Sequence, residues 1–168
     1  MNLRRYLRPQ SIRLELKTRP EPLEGEEPSS PAHLRRIRRS VLSELVELFE
    51  ATGQVVNPRK LLVDLENREK KATTALGPGV AIPHVRTYQA RGFIMALARS
   101  TPGLPFGSLD GEPTHIFLGM VAPPYDDRLY LRVYRTVGPL LQDPQWREEV
   151  MAAEDEHRIL RLMEAVRR

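Results

Sequence analysis

Apolar residues recur along the chain with two different periods, and each period predicts a different kind of element. From Pro31 onward they recur every three or four positions, which indicates a helix with one buried face. The positions are Leu34, Ile37, Val41, Leu45 and Leu48. Ser30 before Pro31 is typical of a helix start, because serine can cap the first turn and proline fits there without losing a hydrogen bond. Gly53 is expected to end this helix.

A second helix is predicted from Asn57 and Pro58 to about Lys71, since a second cap-and-proline pair opens another stretch with helical spacing. Its buried side carries Leu61, Leu62 and Leu65. Arg68 falls near the C-terminal end of this helix, where the helix dipole favours a cation.

Four stretches have the pattern of β-strands. Residues 6–17 alternate apolar and charged side chains over most of their length, the period of a half-buried strand. Residues 80–82, 92–98 and 115–121 are apolar runs of strand length. The loop between the last two runs, residues 101–113, has no regular period, and long loops of this kind often carry function.

The last third of the chain is predicted to be helical. A helix capped by Asp126 or Asp127 should reach toward Leu141, although Gly138 and Pro139 are expected to kink or interrupt it. Two shorter helices should follow. They begin at Asp143 and Asp155 and direct Trp146, Ile159, Leu160, Met163 and Val166 inward.

The order of these elements is strand, two helices, three strands and then helices. It predicts an α/β (α+β) fold with a mixed central β-sheet flanked by helices. A length of 168 residues with 40% hydrophobic side chains fits one domain over residues 1–168. The segment at about residues 19–31 is acidic and rich in proline, so we expect a surface loop there, with disorder as the alternative.

The composition excludes several kinds of chemistry. Without cysteine, the chain can form no disulfide, thiolate metal site or cysteine nucleophile. No apolar run approaches the roughly 20 residues that span a bilayer, and the N-terminus lacks an apolar signal region. We therefore expect a cytoplasmic protein that does not insert into membranes.

The net charge of +4 comes mostly from arginine and is compatible with acidic or phosphorylated partners and with nucleic acid. The residues 35–36 and 38–39 are arginine pairs that could dock an acidic partner, but we favour a solvated face tied to the preceding acidic loop. Nucleic-acid binding is not expected, because no helix-turn-helix or zinc motif is present and aromatic residues make up only 6% of the chain.

The stretch from Gly77 to His84 combines a glycine-proline turn with a short strand that ends on a histidine. Pro83 cannot donate to a sheet ladder, so the strand should end or reach an edge there and place His84 at the rim of the sheet. The glycines do not have the spacing of a P-loop, which favours turn geometry over direct phosphate binding at Gly79. A metal site at His84 and His115 is not expected, since no third ligand matches them in the sequence.

Three segments carry a resemblance to a known family. Residues 61–69 read Leu-Leu-x-x-Leu-x-x-Arg-Glu, and residues 74–84 read Thr-Ala-Leu-Gly-Pro-Gly-Val-Ala-Ile-Pro-His. Together with residues 106–123, they resemble the A domain (EIIA, type 2) of the fructose/mannitol-type phosphotransferase system, including its nitrogen-regulatory version. The resemblance covers essentially the chain from Leu7, apart from the proline-rich loop.

This resemblance implies a phosphohistidine carrier that needs no cofactor or metal. His84 would accept a phosphoryl group from the carrier protein HPr and pass it to a cysteine on an EIIB-type domain. The resemblance places Arg68 as a phosphate clamp and His115 as the second active-site histidine, and we expect both to converge on His84. Arg86, Thr87 and Gly79 are further candidates for contacts with the phosphoryl group or a partner.

Two roles stay open within this family. We expect a free-standing A domain, which serves either a separately encoded sugar permease or a regulatory pathway, and we favour the nitrogen-regulatory type because nothing in the chain specifies a sugar. The alternative is a protein-binding module of the same fold that no longer transfers phosphate.

Overall fold

One mixed sheet of five strands, with helices packed on both of its faces, forms the centre of the protein in the computed structural model, which describes residues 1–164. The strands are β1 (Ile12–Arg13), β2 (Val80–Ala81), β3 (His84–Arg86), β4 (Ile94–Leu104) and β5 (Thr114–Ala122). The helices are α1 (Pro31–Glu50), α2 (Pro58–Lys71), α3 (Asp127–Gln142), α4 (Pro144–Ala152) and α5 (Glu156–Glu164). The predicted fold class is confirmed.

The strand order is β1-β4-β5-β2, and β3 also pairs with β5. Strands β4 and β5 are antiparallel, whereas β2 and β3 both run parallel to β5. Val80 lies opposite Ile116 and His84 opposite Met120, so β2 and β3 follow one another along the same side of β5. Pro83 separates the two strands, and His84 therefore lies on an edge of the sheet, as predicted.

Two apolar cores lie on opposite faces of the sheet, because successive side chains of a strand point to opposite faces. Phe117 and Val121 of β5 belong to the core beneath α1 and α2. Leu118 and Met120 belong to the other core, which also contains apolar side chains of α3, α4 and α5. Burial on both faces explains why β5 reads as a continuous apolar run.

Both predicted helix starts are confirmed by their caps. The Ser30 side chain accepts a hydrogen bond from the main-chain N–H of His33 at 3.1 Å, and the Asn57 side chain accepts one from Lys60 at 3.2 Å. Helix α2 ends at Lys71, the predicted residue. These local signals therefore fix the ends of α2, the element that carries Arg68.

The prediction of one strand over residues 6–17 is wrong. Leu3–Tyr6 and Pro9–Ser11 are 3₁₀ helices, and only Ile12–Arg13 pairs with the sheet. The side chain of Ser11 accepts a hydrogen bond from the N–H of Arg8 and donates one to its carbonyl, which closes a local turn. Because Pro9 has no N–H to donate, a continuous ladder could not form there.

Helix α3 continues through Gly138 and Pro139, so the predicted interruption is wrong. Pro139 lies at the start of the last turn of α3, where the missing N–H leaves only one carbonyl without its helical partner. The two following helices begin after Asp143 and Asp155, as predicted, and bury Trp146, Ile159, Leu160 and Met163. Val166, the remaining residue predicted to face inward, lies outside the described residues.

The acidic, proline-rich segment at residues 19–31 forms exposed turns that are fixed to α1. Glu26 accepts two hydrogen bonds from the Arg36 guanidinium at 2.9 Å and also contacts Nδ1 of His33. Arg36 lowers the pKa of Glu26 to about 2. The prediction that the arginines of α1 are tied to this loop is confirmed at Arg36. No helix within residues 1–164 is long and apolar enough to cross a membrane.

Candidate functional site

His84 is the first residue of β3, and its ring lies beneath α3. Residues that pair across parallel strands share a face, so His84 points to the same side as Met120, toward the core that α3 covers. The ring centroid is 6.1 Å from that of Tyr130 and 5.3 Å from that of Tyr134. With 9% of its surface exposed, His84 is mostly enclosed but still reaches solvent.

One hydrogen bond decides which ring nitrogen of His84 is available. Nδ1 lies 2.5 Å from the main-chain oxygen of Ile82, which can only accept. The neutral ring therefore carries its proton on Nδ1 and its lone pair on Nε2. Within residues 1–164, Nε2 has no hydrogen-bond partner, and it is not among the buried atoms without one. Nε2 is thus an accessible nucleophile.

The electrostatic surroundings keep this ring neutral. Burial lowers the pKa of His84, and the positive charge of Arg68 lowers it further, against the opposing hydrogen bond to Ile82. A lowered pKa means that the neutral imidazole predominates at neutral pH. The lone pair on Nε2 is consequently present under the conditions in which the chain would work.

Arg68 reaches this region from the last turn of α2. Its Nη1 donates to the carbonyl of Ala72 at 2.9 Å, which holds the guanidinium at the helix end. Burial lowers the pKa of His84 and raises that of Tyr130, and the charge of Arg68 adds to the first shift and opposes the second, so Arg68 acts on both rings. The structure therefore brings Arg68 and His84 together, on elements separated by the glycine turn.

Arg86 adds a second cation on the same side of the sheet as His84, two residues further along β3. Its guanidinium carbon lies 5.4 Å from the ring centroid of Tyr130, and it forms an ion pair with Asp127 at the start of α3. These contacts fix the first turn of α3 over β3. Arg68 of α2 and Arg86 of β3 thus bring positive charge to the region around His84 and Tyr130 from two different elements.

The structure does not place His115 beside His84, and the expected convergence of these two histidines is wrong. His84 lies opposite Met120, which is five residues beyond His115 on β5. At ~3.3 Å per residue, His115 and Met120 are separated by about 16 Å along the strand. Because five is an odd number of residues, His115 and Met120 point to opposite faces of the sheet, and His84 shares the face of Met120. His115 instead donates from Nδ1 to the carbonyl of Ser100 at 3.0 Å, and its ring faces Gly103 and Gly79.

Gly79 belongs to the His115 end of the sheet as well. Its carbonyl accepts hydrogen bonds from the N–H groups of His115 and Ile116, and its φ of +71° explains why glycine occupies the turn. Gly79 is therefore not placed for the predicted contact with a phosphoryl group on His84, because β2 separates the two residues. The favoured alternative, that Gly79 serves turn geometry, agrees with its contacts.

Thr87 is not available to a phosphoryl group or a partner. It is buried, and its hydroxyl donates to Asp64 of α2 at 2.5 Å while accepting from the N–H of Gln89 at 3.1 Å. Its main-chain N–H continues the pairing with Ala122. Thr87 therefore ties the end of β3 to α2, and its assignment as a binding residue is corrected to a structural one.

Comparison with known proteins decides the family. The model of the phosphoenolpyruvate-dependent sugar phosphotransferase system, EIIA 2, matches residues 36–166, most of the chain. The chain belongs to this EIIA family. The match includes α2, the glycine turn, β3 and α3, which are the elements that surround His84.

Relatives of this EIIA chain include both transport and regulatory proteins. It is 32% identical to the nitrogen regulatory protein of Bradyrhizobium diazoefficiens over 126 residues, which are 74% of this chain and 81% of that protein. It is 28% identical to the fructose-specific EIIABC component of Bacillus subtilis over 123 residues, 73% of this chain but only 19% of that component. The EIIA chain therefore spans about a fifth of this transport relative.

Solved structures with the same EIIA fold show the likeness at lower identity. The nitrogen regulatory protein IIA-Ntr of Neisseria meningitidis superposes with a TM-score of 0.80 at 20% identity, covering 97% of this chain and 99% of that one. The mannitol EIIA of Escherichia coli, in its complex with phosphorylated EIIB, has a TM-score of 0.68 at 16% identity, covering 94% of this chain and 97% of that one. These structures support the fold.

Sequence reasoning missed two residues at the site of this EIIA domain, Tyr130 and Tyr134. They lie four positions apart in α3, a spacing that reads as an ordinary buried helix face. Arg86 contacts Tyr130 and Asp127 of the α3 region, but its position in the sequence does not indicate these partners. Only the register of β3 against β5 shows that α3 covers His84.

A joint metal site of His84 and His115 is ruled out by their positions on opposite faces of the sheet. Within residues 1–164, no group of three histidine, aspartate or glutamate side chains is arranged to hold a metal ion.

Proposed function

We propose that this EIIA domain is a phosphohistidine carrier, with Nε2 of His84 as the phosphoryl acceptor. The observation that supports this most directly is the hydrogen bond from Nδ1 to Ile82, which leaves a lone pair on an accessible Nε2. The charge of Arg68 acts on this ring, and Arg86 lies two residues further along the same face of β3. The donor is an HPr-like phosphocarrier protein. Both this domain and its donor are placed in the cytoplasm by the same proposal.

The transfer step exchanges one P–N bond for another. The lone pair on Nε2 attacks phosphorus, the bond from phosphorus to the donor nitrogen breaks, and the donor ring keeps that electron pair. The proton on Nδ1 of His84 stays in place, and the Ile82 carbonyl stabilises the positive charge that develops on the ring. Because the ring is neutral at the outset, no general base has to remove a proton.

The two arginines would neutralise the phosphoryl oxygens. A phosphoryl group in transfer carries its charge on three equatorial oxygens, and preorganised cations stabilise that charge without a metal. Arg68 approaches from α2 and Arg86 from β3, so the two would contact different oxygens. The guanidinium of Arg68 can hold two oxygens at once, which a lysine could not do.

The onward role that we propose is regulatory. A nitrogen regulatory protein, of which the chain covers 81%, is 32% identical to it, whereas a fructose-specific EIIA component covered to 79% is 26% identical. Phosphorylation of His84 would then change the charge of the surface around α3 and with it the binding of a target protein. Transfer to an EIIB-type cysteine is the transport version of the same chemistry, and a mannitol EIIA is known in complex with phosphorylated EIIB.

The test is a labelling experiment with radioactive phosphoenolpyruvate and with enzyme I and HPr from the organism that encodes the chain. The wild-type protein should accept label that is stable to base and lost in acid, as expected of a phosphohistidine. The His84→Ala variant should accept none. Label on that variant would refute the assignment.

His115→Gln is the matched control, because His115 also binds a main-chain carbonyl through Nδ1 but lies on the other face of the sheet. It should accept label at the wild-type rate. A protein that folds normally but accepts no label at all would instead favour the non-transferring binding module.

A further inference from the structure

The ring of Tyr130 lies 6.1 Å from that of His84, centroid to centroid, and the transfer step above leaves its hydroxyl group unused. Tyr130 lies at the start of α3 and is 8% exposed, with its ring between Phe93, at 6.3 Å between centroids, and the guanidinium of Arg86. Contacts on two sides limit the positions that this ring can take. Its hydroxyl therefore has a restricted direction.

No protein group satisfies this hydroxyl within the described chain. Residues 1–164 provide no hydrogen-bond partner for it, and it is not among the fully buried polar atoms that lack one. A mostly buried phenol usually finds a partner for its hydroxyl. The oxygen of Tyr130 is thus free to bind a group that arrives from solvent.

The charges around Tyr130 are those around His84. Arg86 and Arg68 both act on the phenol oxygen, and Arg68 also acts on the His84 imidazole. The two polar groups therefore share one positive environment. Burial raises the pKa of Tyr130 to about 12, so the phenol keeps its proton and can donate at any working pH.

We propose that Tyr130 is a catalytic residue whose hydroxyl donates a hydrogen bond to an oxygen of the phosphoryl group carried on Nε2 of His84. The family resemblance predicted His115 beside His84, and in the structure the ring of Tyr130 lies there instead. This inference rests on the proposed function. Tyr134 differs, because its ring packs against His84 in a T-shaped arrangement at 5.3 Å, whereas the arginine guanidinium of this region lies over Tyr130.

The test compares Tyr130→Phe with Tyr134→Phe, two variants that each remove one hydroxyl. The measured quantity is the equilibrium constant for phosphoryl exchange with HPr, from the fraction of each protein that is phosphorylated. A hydrogen bond to a charged group contributes enough to shift this equilibrium about 10- to 100-fold. We expect that shift toward phosphorylated HPr for Tyr130→Phe, and less than about 3-fold for Tyr134→Phe.

A merely structural role for Tyr130 would lower the melting temperature without moving the exchange constant, so both are measured, the exchange well below the melting temperature of each variant. An unchanged exchange constant in Tyr130→Phe would overturn the inference while leaving His84 as acceptor. An equal shift in both variants would also overturn it, since packing would then explain the effect. Absence of label on the wild-type protein would instead refute the proposed function.

Discussion

His84 and His115 are held in the same way but lie in different surroundings. Each ring donates from Nδ1 to a main-chain carbonyl, that of Ile82 or of Ser100, and each therefore presents Nε2 as its lone-pair nitrogen. Around His84 two arginines and a tyrosine approach from three elements. Around His115 the neighbours are the main chains of two glycines.

The difference shows that tautomer alone does not make a phosphoryl acceptor. A phosphorylated nitrogen needs space and positive charge around three oxygens. At His115 the Nε2 side of the ring faces Gly103, where even an added methyl carbon would lie 2.8 Å away. The proposed exchange chemistry therefore belongs to the His84 end of the sheet, and the contacts of His115 belong to turn packing at the other end.

The largest effect is expected from Arg68→Ala. Removing a preorganised charge from a transferring group typically lowers the rate by about 100- to 1000-fold. We expect a decrease of this size in the rate at which His84 accepts label, measured by rapid quench. Arg68→Lys keeps the charge but loses the paired donors, and should recover only part of the rate.

The corresponding control for Arg68 is Arg91→Ala, an exposed arginine whose guanidinium contacts the carbonyl of Gly53, away from the site. Its labelling rate should equal that of the wild type. If Arg68→Ala also accepts label at the wild-type rate, the positive charge of Arg68 does not distinguish His84 from His115 as a phosphoryl acceptor.

Gly103→Ala should destabilise the end of the sheet that contains His115. Gly103 has a φ of +79°, and its new methyl group would lie 2.7 Å from Cε1 of His115. A residue strained in this region typically costs about 1–3 kcal/mol. We expect a loss of this size in the free energy of unfolding, by urea denaturation, with normal labelling of His84 in the folded protein.

Gly25→Ala provides the comparison for Gly103→Ala. Gly25 also has a positive φ, +78°, but nothing lies within 4 Å of the position of its added carbon. The excess destabilisation of Gly103→Ala measures the contact with His115. Equal losses would mean that backbone conformation, and not the ring, constrains Gly103.

A smaller effect is expected from the pH dependence of stability. The folded pKa of His84 lies below its unfolded value of about 6.5. As the pH falls below 6.5, the unfolded state binds a proton that folded His84 does not, so the free energy of unfolding decreases. The slope is at most about 1.4 kcal/mol per pH unit for one group.

In His84→Gln this contribution is absent, so its urea stability should decline less steeply than that of the wild type between pH 6.5 and the lowered pKa. Parallel stability curves for the two proteins would contradict the neutral, buried state assigned to His84.

The elements of the fold could largely be predicted from the sequence because their signals are local. Serine or asparagine followed by proline marked the starts of α1 and α2, and continuous apolar runs marked β4 and β5. The strand predicted over residues 6–17 was wrong because alternation of apolar and charged residues indicates burial and not strand pairing. Leu7, Ile12 and Leu16 are indeed buried, but only Ile12 of these three lies in a strand.

The candidate site was predictable only in part. The motif placed His84 at a sheet edge and Arg68 at a helix end, both local properties. The separation of His115 from His84 depends on the register of β5 against β3, a non-local property. Likewise, the approach of Tyr130 depends on how α3 packs across the sheet, which its helical spacing does not reveal.

The pairing along the outer side of β2 has a consequence for how a partner can bind. Leu76 donates to the carbonyl of Val80 there, and Ile82 donates to that of Thr74, so the main-chain groups on this side are already occupied. Strand addition, a common way for peptides to extend a sheet, is therefore blocked along β2. We expect a partner of His84 to contact the side chains of α3, Arg68 and Arg86 instead, so that a change in the charge around them also changes its binding.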